Sequence, residues 1–386
     1  MQVLTTYKYK LKPTKTQAIM FEQWLGTCRY VYNIGMEVKK TAYKTAGKNI
    51  GKYELMKQLT NAKKEIGWLN NTHSQVLQNV LDRLDRSYQN FFEKRAKYPK
   101  WAKKNKYKSF TFKQGVKIHS NTFSVSLPKI GKIKFFKDRI ADMDIATATI
   151  IKEVDGWFIS ISGTINKEPM PTANKNIGID LGIKSFAVTS DGKSFDSPNC
   201  LRKAEKKLKH LQKEVSRKKN GSNNRKKAVA QLAKAHKKVS ETRKDFLHKL
   251  STKLIRENQS ICVEKLQIWN MLKNHKLAKS ISDAGWGMFR VMLKYKAEQN
   301  NRTFFEVNPR NTSKQCSVCG NIYDDMNLSI REWACSLCGT KHGRDENAAK
   351  NILNKGFGLN LSTCGENVNP VVIDGLFSMK QEPHSL

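Results

Sequence analysis

Four of the chain's eight cysteines form two C-x2-C pairs with fifteen residues between them, and this spacing constrains the fold more than any other feature. The four are Cys316, Cys319, Cys335 and Cys338. Two such pairs are typical of a zinc ribbon, in which each pair supplies two thiolates to one tetrahedral zinc ion. Gly320 and Gly339 directly follow the pairs, where the backbone must turn tightly. We predict one structural zinc ion, because four protein ligands leave no open position for catalysis.

The other four cysteines are scattered, which indicates a reducing compartment rather than a disulfide scaffold. The 386 residues include 71 Lys and Arg against 33 Asp and Glu, a formal net charge of +38. A charge of this size favours a polyanionic partner, while 39% hydrophobic residues are enough to bury a core. The apolar runs are too short for a membrane helix, and the first ten residues do not resemble a secretory signal. We expect a cytoplasmic protein that binds nucleic acid and no membrane.

The N-terminal half changes character twice. Residues 1–12 alternate as in a strand, and Thr14 or Thr16 is placed to cap a following helix. Helical periodicity then dominates to about residue 97, and the character changes at Pro99. Residues 109–163 are short alternating segments separated by Gly, Pro and Asn, which predicts a small β-barrel or sheet, and residues 164–175 resemble a linker. If the opening strand joins that sheet, the helical block is an insertion in it.

Three carboxylates stand at the borders of predicted elements in the C-terminal half. Asp180 ends an apolar strand, Glu264 follows another, and Asp345 opens the final helix. Taken singly, each has an ordinary interpretation: a turn residue, a solvated strand-end charge and a helix N-cap. Together, with the zinc pairs between the second and third, they are similar to the acidic residues of ribonuclease H-like nucleases, which hold two divalent ions. Carboxylate oxygens suit Mg²⁺, with Mn²⁺ as an alternative. The eight histidines are dispersed, and we expect them at the surface or in contact with phosphates.

Seven stretches carry a resemblance to a known family: YKYKLKPTKTQ, SQVLQNVLDRLDRSYQNFFEK, LPKIGKI, NIGIDLGIKSFAV, ICVEKLQIWNM, VNPRNTSKQCSVCG and GRDENAAKNIL. The chain resembles the TnpB proteins of insertion sequences, which are compact RNA-guided DNA nucleases related to type V CRISPR effectors. The resemblance implies a multidomain α+β protein with a RuvC-type, ribonuclease H-like nuclease domain, whose acidic triad is Asp180, Glu264 and Asp345. It also implies a zinc-ribbon insert that binds target nucleic acid, and a helical recognition domain inserted in a β-barrel wedge domain.

The predicted domain boundaries follow from the motifs and the changes of pattern. They are residues 1–12 and 109–170 for the wedge barrel, 13–108 for the recognition domain, 171–310 and 340–355 for the nuclease domain, 311–339 for the zinc ribbon, and 356–386 for a disordered tail. This tail is slightly acidic, shows no periodicity and matches no shared motif.

The resemblance further implies the partners and the reaction. The guide is a transposon-derived RNA, with one protein per guide RNA, and the target is double-stranded DNA beside a short 5′ adjacent motif. The intact triad favours an active, Mg²⁺-dependent endonuclease of a prokaryotic, nucleoid-associated kind. The alternatives are a compact CRISPR-type effector with a separate guide, a guide-directed repressor without cleavage, and a transposase that acts on element ends.

Two basic tracts are candidate phosphate-binding surfaces, with a solvated basic face as the alternative for each. Residues 94–108 interleave Lys with Tyr98, Trp101 and Tyr107, a pattern that suits stacking on unpaired bases. Residues 201–250 contain 18 basic and 4 acidic residues. The candidate contacts are Lys94, Arg95, Trp101, Lys103, Lys104, Arg217, Lys218 and Lys219.

Sequence reading requires polar side chains that reach base edges. By resemblance, the helix that begins at Ser74 faces the adjacent-motif duplex, and it carries Gln75, Gln78 and Asn79 on nearly one face. Thr122 in a wedge loop is a further candidate. The alternative is an ordinary polar helix face. Residues 311–313, Asn-Thr-Ser, precede the first cysteine pair and either orient a phosphate or cap a turn.

Overall fold

The chain divides into two compact units. The computed structural model describes residues 1–104, 106–136, 142–324, 326–327 and 329–358. The first unit comprises Met1–Pro169 together with Glu214–Lys234, and the second comprises Met170–Lys213 and the residues from Ala235 onward. Of the predicted tail, residues 359–386 lie outside the described residues. No helix in the described ranges is long and apolar enough to cross a membrane.

A strand, three α-helices and six further strands make up the described part of residues 1–169. They are β1 (Gln2–Lys12), α1 (Lys15–Ala46), α2 (Lys52–Glu65), α3 (Ser74–Phe92), β2 (Ser109–Phe112), β3 (Lys117–His119), β4 (Ser124–Leu127), β5 (Gly131–Phe135), β6 (Asp144–Glu153) and β7 (Gly156–Asn166). Of the two threonines predicted to cap α1, Thr14 does so. Its hydroxyl accepts from the Gln17 N–H, and the Gln17 side chain accepts from the Thr14 N–H.

The strands of this unit form one sheet in the order β2-β6-β7-β1-β5-β4-β3. β1 pairs with β7 along Gln2–Lys10 and with β5 at Leu11 and Lys12, so the opening strand joins the sheet as predicted. The predicted barrel is wrong for the described strands, since β2 and β3 stand at opposite edges and do not pair with each other. Alternation predicts that a segment is a strand, but it does not predict whether two short edge strands meet and close a barrel.

The helical block packs on the strand that follows it. The Trp24 ring of α1 lies 5.6 Å from the Phe110 ring and 5.8 Å from the Phe112 ring, centroid to centroid, and both phenylalanines belong to β2. The Arg83 guanidinium of α3 donates to the Ser109 carbonyl at 3.0 Å. All of the aromatic rings are buried, so the helices and the sheet share one apolar core.

The described elements after residue 169 are β8 (Asn176–Leu181), β9 (Ser185–Thr189), β10 (Ser194–Asp196), α4 (Cys200–Arg217), α5 (Asn223–Glu257), β11 (Ser260–Glu264), α6 (Ile268–Met271), α7 (Ala278–Ala284), α8 (Trp286–Glu298), β12 (Thr303–Val307), β13 (Glu332–Ala334), β14 (Lys341–Gly343) and α9 (Arg344–Gly356). The second sheet has the order β10-β9-β8-β11-β12. β8, β9 and β10 are an antiparallel meander, whereas β11 runs parallel to β8 and β12 parallel to β11. The short helices α6 and α7 were not predicted from the sequence.

The two faces of the second sheet are covered by different helices. Ile179 of β8 and Val263 of β11 belong to the core that includes Leu254 of α5 and Phe289 of α8. On the opposite face, Cys262 of β11 packs with side chains of α9. The alternation of side chains along each strand therefore decides which residues point toward α9.

Candidate active site and metal centre

Asp180 and Glu264 lie side by side at the ends of two parallel strands. Gly178 and Asp180 are two residues apart in β8, so both are on the face that α9 covers. Cys262 and Glu264 have the same relationship in β11. Gly178 pairs with Cys262 in the parallel register. Asp180 and Glu264 each lie two residues further along their own strand, so the same register places them opposite each other. The sheet thus brings together two residues that are far apart in the sequence.

A glycine in β8 determines how close α9 comes to the sheet. A Cβ atom on Gly178 would lie 2.0 Å from the Ala349 carbonyl oxygen and 2.9 Å from the Leu353 Cβ. Any side chain at this position would therefore push the helix away. The contact fixes α9 against β8, and Asp345, in the first turn of α9, belongs to the same end of the sheet as Asp180.

The charges of both other carboxylates act on Asp180. Burial, together with the negative charges of Glu264 and Asp345, raises the pKa of Asp180 to about 8, while the positive charge of Arg344 opposes the shift. Burial also raises the pKa of Glu264, against a hydrogen bond from Thr312 and the positive charge of Lys355. Neighbouring carboxylates repel one another when they are ionised together. A divalent cation relieves this repulsion, and carboxylate oxygens are the ligands that Mg²⁺ prefers.

Asp345 and Glu264 each also contact another side chain of the protein. Asp345 Oδ1 lies 3.6 Å from an Arg331 guanidinium nitrogen, and Glu264 Oε1 accepts a hydrogen bond from Thr312. In the described ranges, the metal-ligand side chains whose donor atoms gather around one point are the four cysteines, and the carboxylates are not gathered in that way. The three acidic residues form an electrostatic cluster rather than a closed coordination shell.

The four cysteines predicted as zinc ligands converge. Their Sγ atoms all lie within 4.8 Å of one another, with 3.7 Å between Cys316 and Cys338 and 3.5 Å between Cys319 and Cys335. A tetrahedral zinc ion with Zn–S bonds of about 2.3 Å requires sulfur separations of about 3.8 Å. The donor set therefore fits zinc.

The two knuckles have the same backbone hydrogen bonds. The Gly320 N–H donates to the Cys316 carbonyl at 3.0 Å, and the Gly339 N–H donates to the Cys335 carbonyl at 2.9 Å. Both glycines have positive φ angles, +80° and +69°, which explains the residue type predicted at these turns. Hydrogen bonds from Thr340 lower the pKa of the Cys338 thiol to about 6, which favours the thiolate that a metal needs.

His342 was expected at the surface, and that expectation is wrong. Its side chain is buried, and its Nε2 lies 3.0 Å from Cys316 Sγ. The ring also packs on Trp333, whose ring stacks on Tyr323. The position of His342, four residues after Cys338, gave a signal in the sequence, because a histidine close to a cysteine pair often supports the metal site.

The polar residues proposed to read bases occupy the start of α3 and a turn of the sheet. Gln75 Nε2 donates to Gln114 Oε1 at 3.0 Å, while Gln75 Oε1 is buried and has no hydrogen-bond partner in the described structure. Gln78 is exposed and Asn79 is half-buried. Thr122 ends a short 3₁₀ turn, and its hydroxyl lies 2.6 Å from that of Ser124.

The first basic tract is mostly exposed, but its aromatic residues differ. Trp101 is exposed, with the Lys40 ammonium 5.9 Å from its ring, so it is open for stacking. Tyr107 is half-buried and packs against the core of the first unit, which leaves its ring less open for stacking than that of Trp101. Arg95 pairs with Glu93. The remaining candidates of this tract, Lys94, Lys103 and Lys104, are exposed.

The second basic tract forms most of α4 and α5. Arg217 and Lys218 both lie 3.6 Å from the Glu214 carboxylate, and Lys219 is exposed. One carboxylate shared by two cations leaves a net positive surface at this end of α4. Exposed ion pairs of this kind contribute little to stability, so these cations are available to a polyanion.

Comparisons with known proteins agree on one family. Residues 155–275 match a family model, OrfB_IS605, described as "Probable transposase", and residues 286–352 match a model described as "Cas12f1-like, TNB domain". Residues 1–48 match a model described as a helix-turn-helix domain, although here they form β1 and the single long helix α1.

Two relatives match over the full length. A Streptomyces pristinaespiralis protein named "Putative RNA-guided DNA endonuclease" is 35% identical over 99% of this chain and 97% of its own. "Putative RNA-guided DNA endonuclease InsQ" of Escherichia coli K12 is 30% identical over 99% and 98%. A solved structure titled "Structure of the mini-RNA-guided endonuclease CRISPR-Cas_phi3" covers 95% of this chain and 94% of its own, with 10% identity and a TM-score of 0.48, a likeness too distant to argue from.

These matches define the class as the OrfB-type proteins of insertion sequences. Within that class, the chain belongs to the TnpB family.

Proposed function

We propose that the chain is an RNA-guided DNA endonuclease of an insertion sequence. The observation that carries this proposal is the acidic cluster, in which Asp180, Glu264 and Asp345 come from two adjacent strands and the helix packed on them. The names of the two full-length relatives support it. In this proposal the sheet of β8–β12 with α9 is a RuvC-type, ribonuclease H-like nuclease domain.

The three carboxylates would hold two Mg²⁺ ions, or Mn²⁺, which activate water and stabilise the leaving oxygen of the scissile phosphate. The protein's part is to keep these carboxylates together against their mutual repulsion. β8 and β11 fix Asp180 and Glu264 through the sheet, and α9 fixes Asp345 through its contact with Gly178. The four cysteines would hold one zinc ion that stabilises the insert before α9.

Nucleic-acid recognition is divided in this proposal. A transposon-derived guide RNA pairs with the target strand of double-stranded DNA, and the protein reads a short 5′ adjacent motif and the shape of the heteroduplex. Gln75, Gln78, Asn79 and Thr122 are the proposed readers of the motif. The exposed residues of the two basic tracts contact phosphates, and Trp101 stacks on a base.

The predicted domain boundaries are kept as part of the proposal: a wedge domain at residues 1–12 and 109–170, a recognition domain at 13–108, a nuclease domain at 171–310 and 340–355, and a zinc ribbon at 311–339. One protein binds one guide RNA, in the cytoplasm of a prokaryote and close to its nucleoid. The sheet of the wedge domain is open in the described strands.

The first experiment purifies the protein from cells that carry its native flanking DNA and sequences the RNA that is bound. We expect one dominant RNA that ends in a segment derived from the flank. The complex is then given a matching target and Mg²⁺, and we expect double-strand cleavage. Asp180→Asn, Glu264→Gln and Asp345→Asn should each abolish cleavage and retain target binding.

Asp196→Asn is the matched control, because Asp196 is an exposed carboxylate in the same sheet. Cleavage by any of the three acidic variants at the wild-type rate would overturn the proposed triad. If no specific RNA is recovered, the description of the family model as a transposase becomes the leading alternative. Strand transfer on element-end DNA would then be the activity to measure.

A further inference from the structure

The hydroxyl of Thr312 contacts the carboxylate of Glu264 in a buried environment. Thr312 Oγ1 donates to Glu264 Oε1 at 2.5 Å, and only 3% of Thr312 and 7% of Glu264 are exposed. The same hydroxyl also lies 3.0 Å from the Pro309 carbonyl oxygen, three residues earlier, which agrees with the turn-capping alternative. A residue this deeply buried does not meet a phosphate from solvent, and its hydroxyl is directed at a side chain of the acidic cluster.

The segment that carries Thr312 is fixed to α9 by two asparagines one turn apart. Asn351 Nδ2 donates to the carbonyl oxygens of Thr312, at 2.9 Å, and of Gln315, at 2.6 Å. Asn347 Nδ2 donates to the same Gln315 carbonyl at 2.7 Å, and Asn347 Oδ1 accepts from the Ser317 N–H at 2.9 Å. Both asparagines are almost completely buried, so these hydrogen bonds do not compete with water.

The arrangement joins the two metal-binding regions through defined contacts. α9 carries Asp345 at its start and the two asparagines in its next turns. These hold the 312–317 segment, which begins the first zinc knuckle and directs one hydroxyl at Glu264. One helix therefore places one carboxylate directly and a second through Thr312.

We infer that Thr312 is a positioning residue that orients Glu264 for divalent-metal binding. The inference rests on the proposed function and goes beyond it. A hydrogen bond to one carboxylate oxygen restricts rotation of the Glu264 side chain, so its other oxygen is presented in one direction. Partners of this kind typically change metal affinity by about 10- to 100-fold when they are removed.

The test compares Thr312→Val, which keeps the shape without the hydroxyl, with Thr312→Ser, which keeps the hydroxyl. Each is prepared as the complete complex with guide RNA. Mn²⁺ binding is measured by electron paramagnetic resonance, and single-turnover cleavage is measured over a range of Mg²⁺ concentrations. Ser313→Ala, at the neighbouring half-buried residue, is the control.

We expect Thr312→Val to weaken Mn²⁺ binding by about 10-fold or more. Its cleavage rate should recover toward the wild-type rate at high Mg²⁺, with unchanged binding of target DNA, and Thr312→Ser should behave as the wild type. Thr312→Ala serves as a second variant if the valine does not fold. It leaves the Asn351 contacts in place, since these go to backbone carbonyls.

Wild-type Mn²⁺ affinity and Mg²⁺ dependence in both hydroxyl-deficient variants would overturn the inference. The two proposals fail separately. If the wild-type complex binds Mn²⁺ without cutting DNA, the nuclease function is wrong, and a weaker Mn²⁺ affinity in Thr312→Val still supports the positioning role.

Discussion

Gly178 of β8 and Ala349 of α9 approach so closely that a methyl group on the glycine would lie 2.0 Å from the Ala349 carbonyl oxygen. The helix α9, which carries Asp345 in its first turn, therefore packs directly against the backbone of β8 at Gly178. This contact couples the stability of the fold to the geometry of the candidate active site.

Gly178→Ala should destabilise the protein by about 3 kcal/mol, because the obstructing atoms belong to backbone that does not move freely. It should also reduce cleavage, since α9 and Asp345 move away from Asp180. Thermal unfolding of the free protein measures the first effect. Gly26→Ala is the control: no atom lies within 4 Å of the added Cβ, and alanine in the middle of α1 should stabilise by about 0.5–1 kcal/mol. Equal stability of Gly178→Ala and wild type would contradict the close approach.

The raised pKa of Asp180 predicts a pH dependence of stability. Its pKa is about 8 in the folded protein against an ordinary value of 3.8, so the folded state binds the proton more tightly than the unfolded state between these values. Without divalent ions, the contribution of Asp180 to stability is therefore present at low pH and is lost as the pH rises toward about 8.

Urea unfolding at several pH values in divalent-free buffer measures this effect. Asp180→Asn does not titrate, so the difference between wild type and variant should change with pH across that window and level off above it. Added Mg²⁺ should stabilise the wild type more at high pH, because the ion binds the deprotonated carboxylate. A difference that is constant from about pH 5 to pH 9 would show that Asp180 titrates normally.

Zinc content should be one ion per chain and should depend on the four converging thiols. Cys335→Ser removes one of four ligands, and we expect most of the zinc to be lost and the unfolding temperature to fall. Elemental analysis of the purified protein measures the stoichiometry. Cys200→Ser, a change at a cysteine of α4 remote from the cluster in sequence, should keep its zinc. Full zinc content in Cys335→Ser would remove that residue from the ligand set.

The contact between His342 and Cys316 predicts a role in zinc affinity. His342→Phe keeps a ring against Trp333 and removes the nitrogen that lies 3.0 Å from the Cys316 sulfur. We expect zinc affinity to fall by about 10- to 100-fold, as measured by competition with a chelator of known affinity. His236→Phe, at an exposed position of α5, should leave the affinity unchanged. Unchanged affinity in both variants would mean that the histidine only fills space.

Gln75 should influence which adjacent motif is accepted. Its half-buried side chain carries an amide that can both donate and accept, and the exocyclic amino groups of adenine and cytosine are the donors in the major groove. We expect Gln75→Ala to relax the preference at one position of the motif by about 10-fold, as measured by depletion of a randomised plasmid library. Gln89→Ala, at the other end of α3, is the control. The same motif profile in both variants would exclude Gln75 as a reader.

Sequence patterns were informative where one local rule decides the structure. The spacing of the cysteine pairs predicted their convergence, and the apolar run before Glu264 predicted β11. The patterns failed where two distant segments decide the outcome together. Whether the first sheet closes depends on its edge strands, and the burial of His342 depends on the position of Trp333. The contact between Thr312 and Glu264 could not be predicted either, because the two residues are 48 positions apart in the sequence.

The position of α9 in the chain has a consequence for protein synthesis. Asp180 and Glu264 leave the ribosome well before the helix that begins at Arg344, so a nascent chain has two of the three carboxylates and lacks both Asp345 and the asparagines that hold Thr312. The acidic cluster is completed only when α9 docks on Gly178. If the acidic cluster is the cutting site, as proposed, a growing chain cannot cut DNA before α9 has been synthesised.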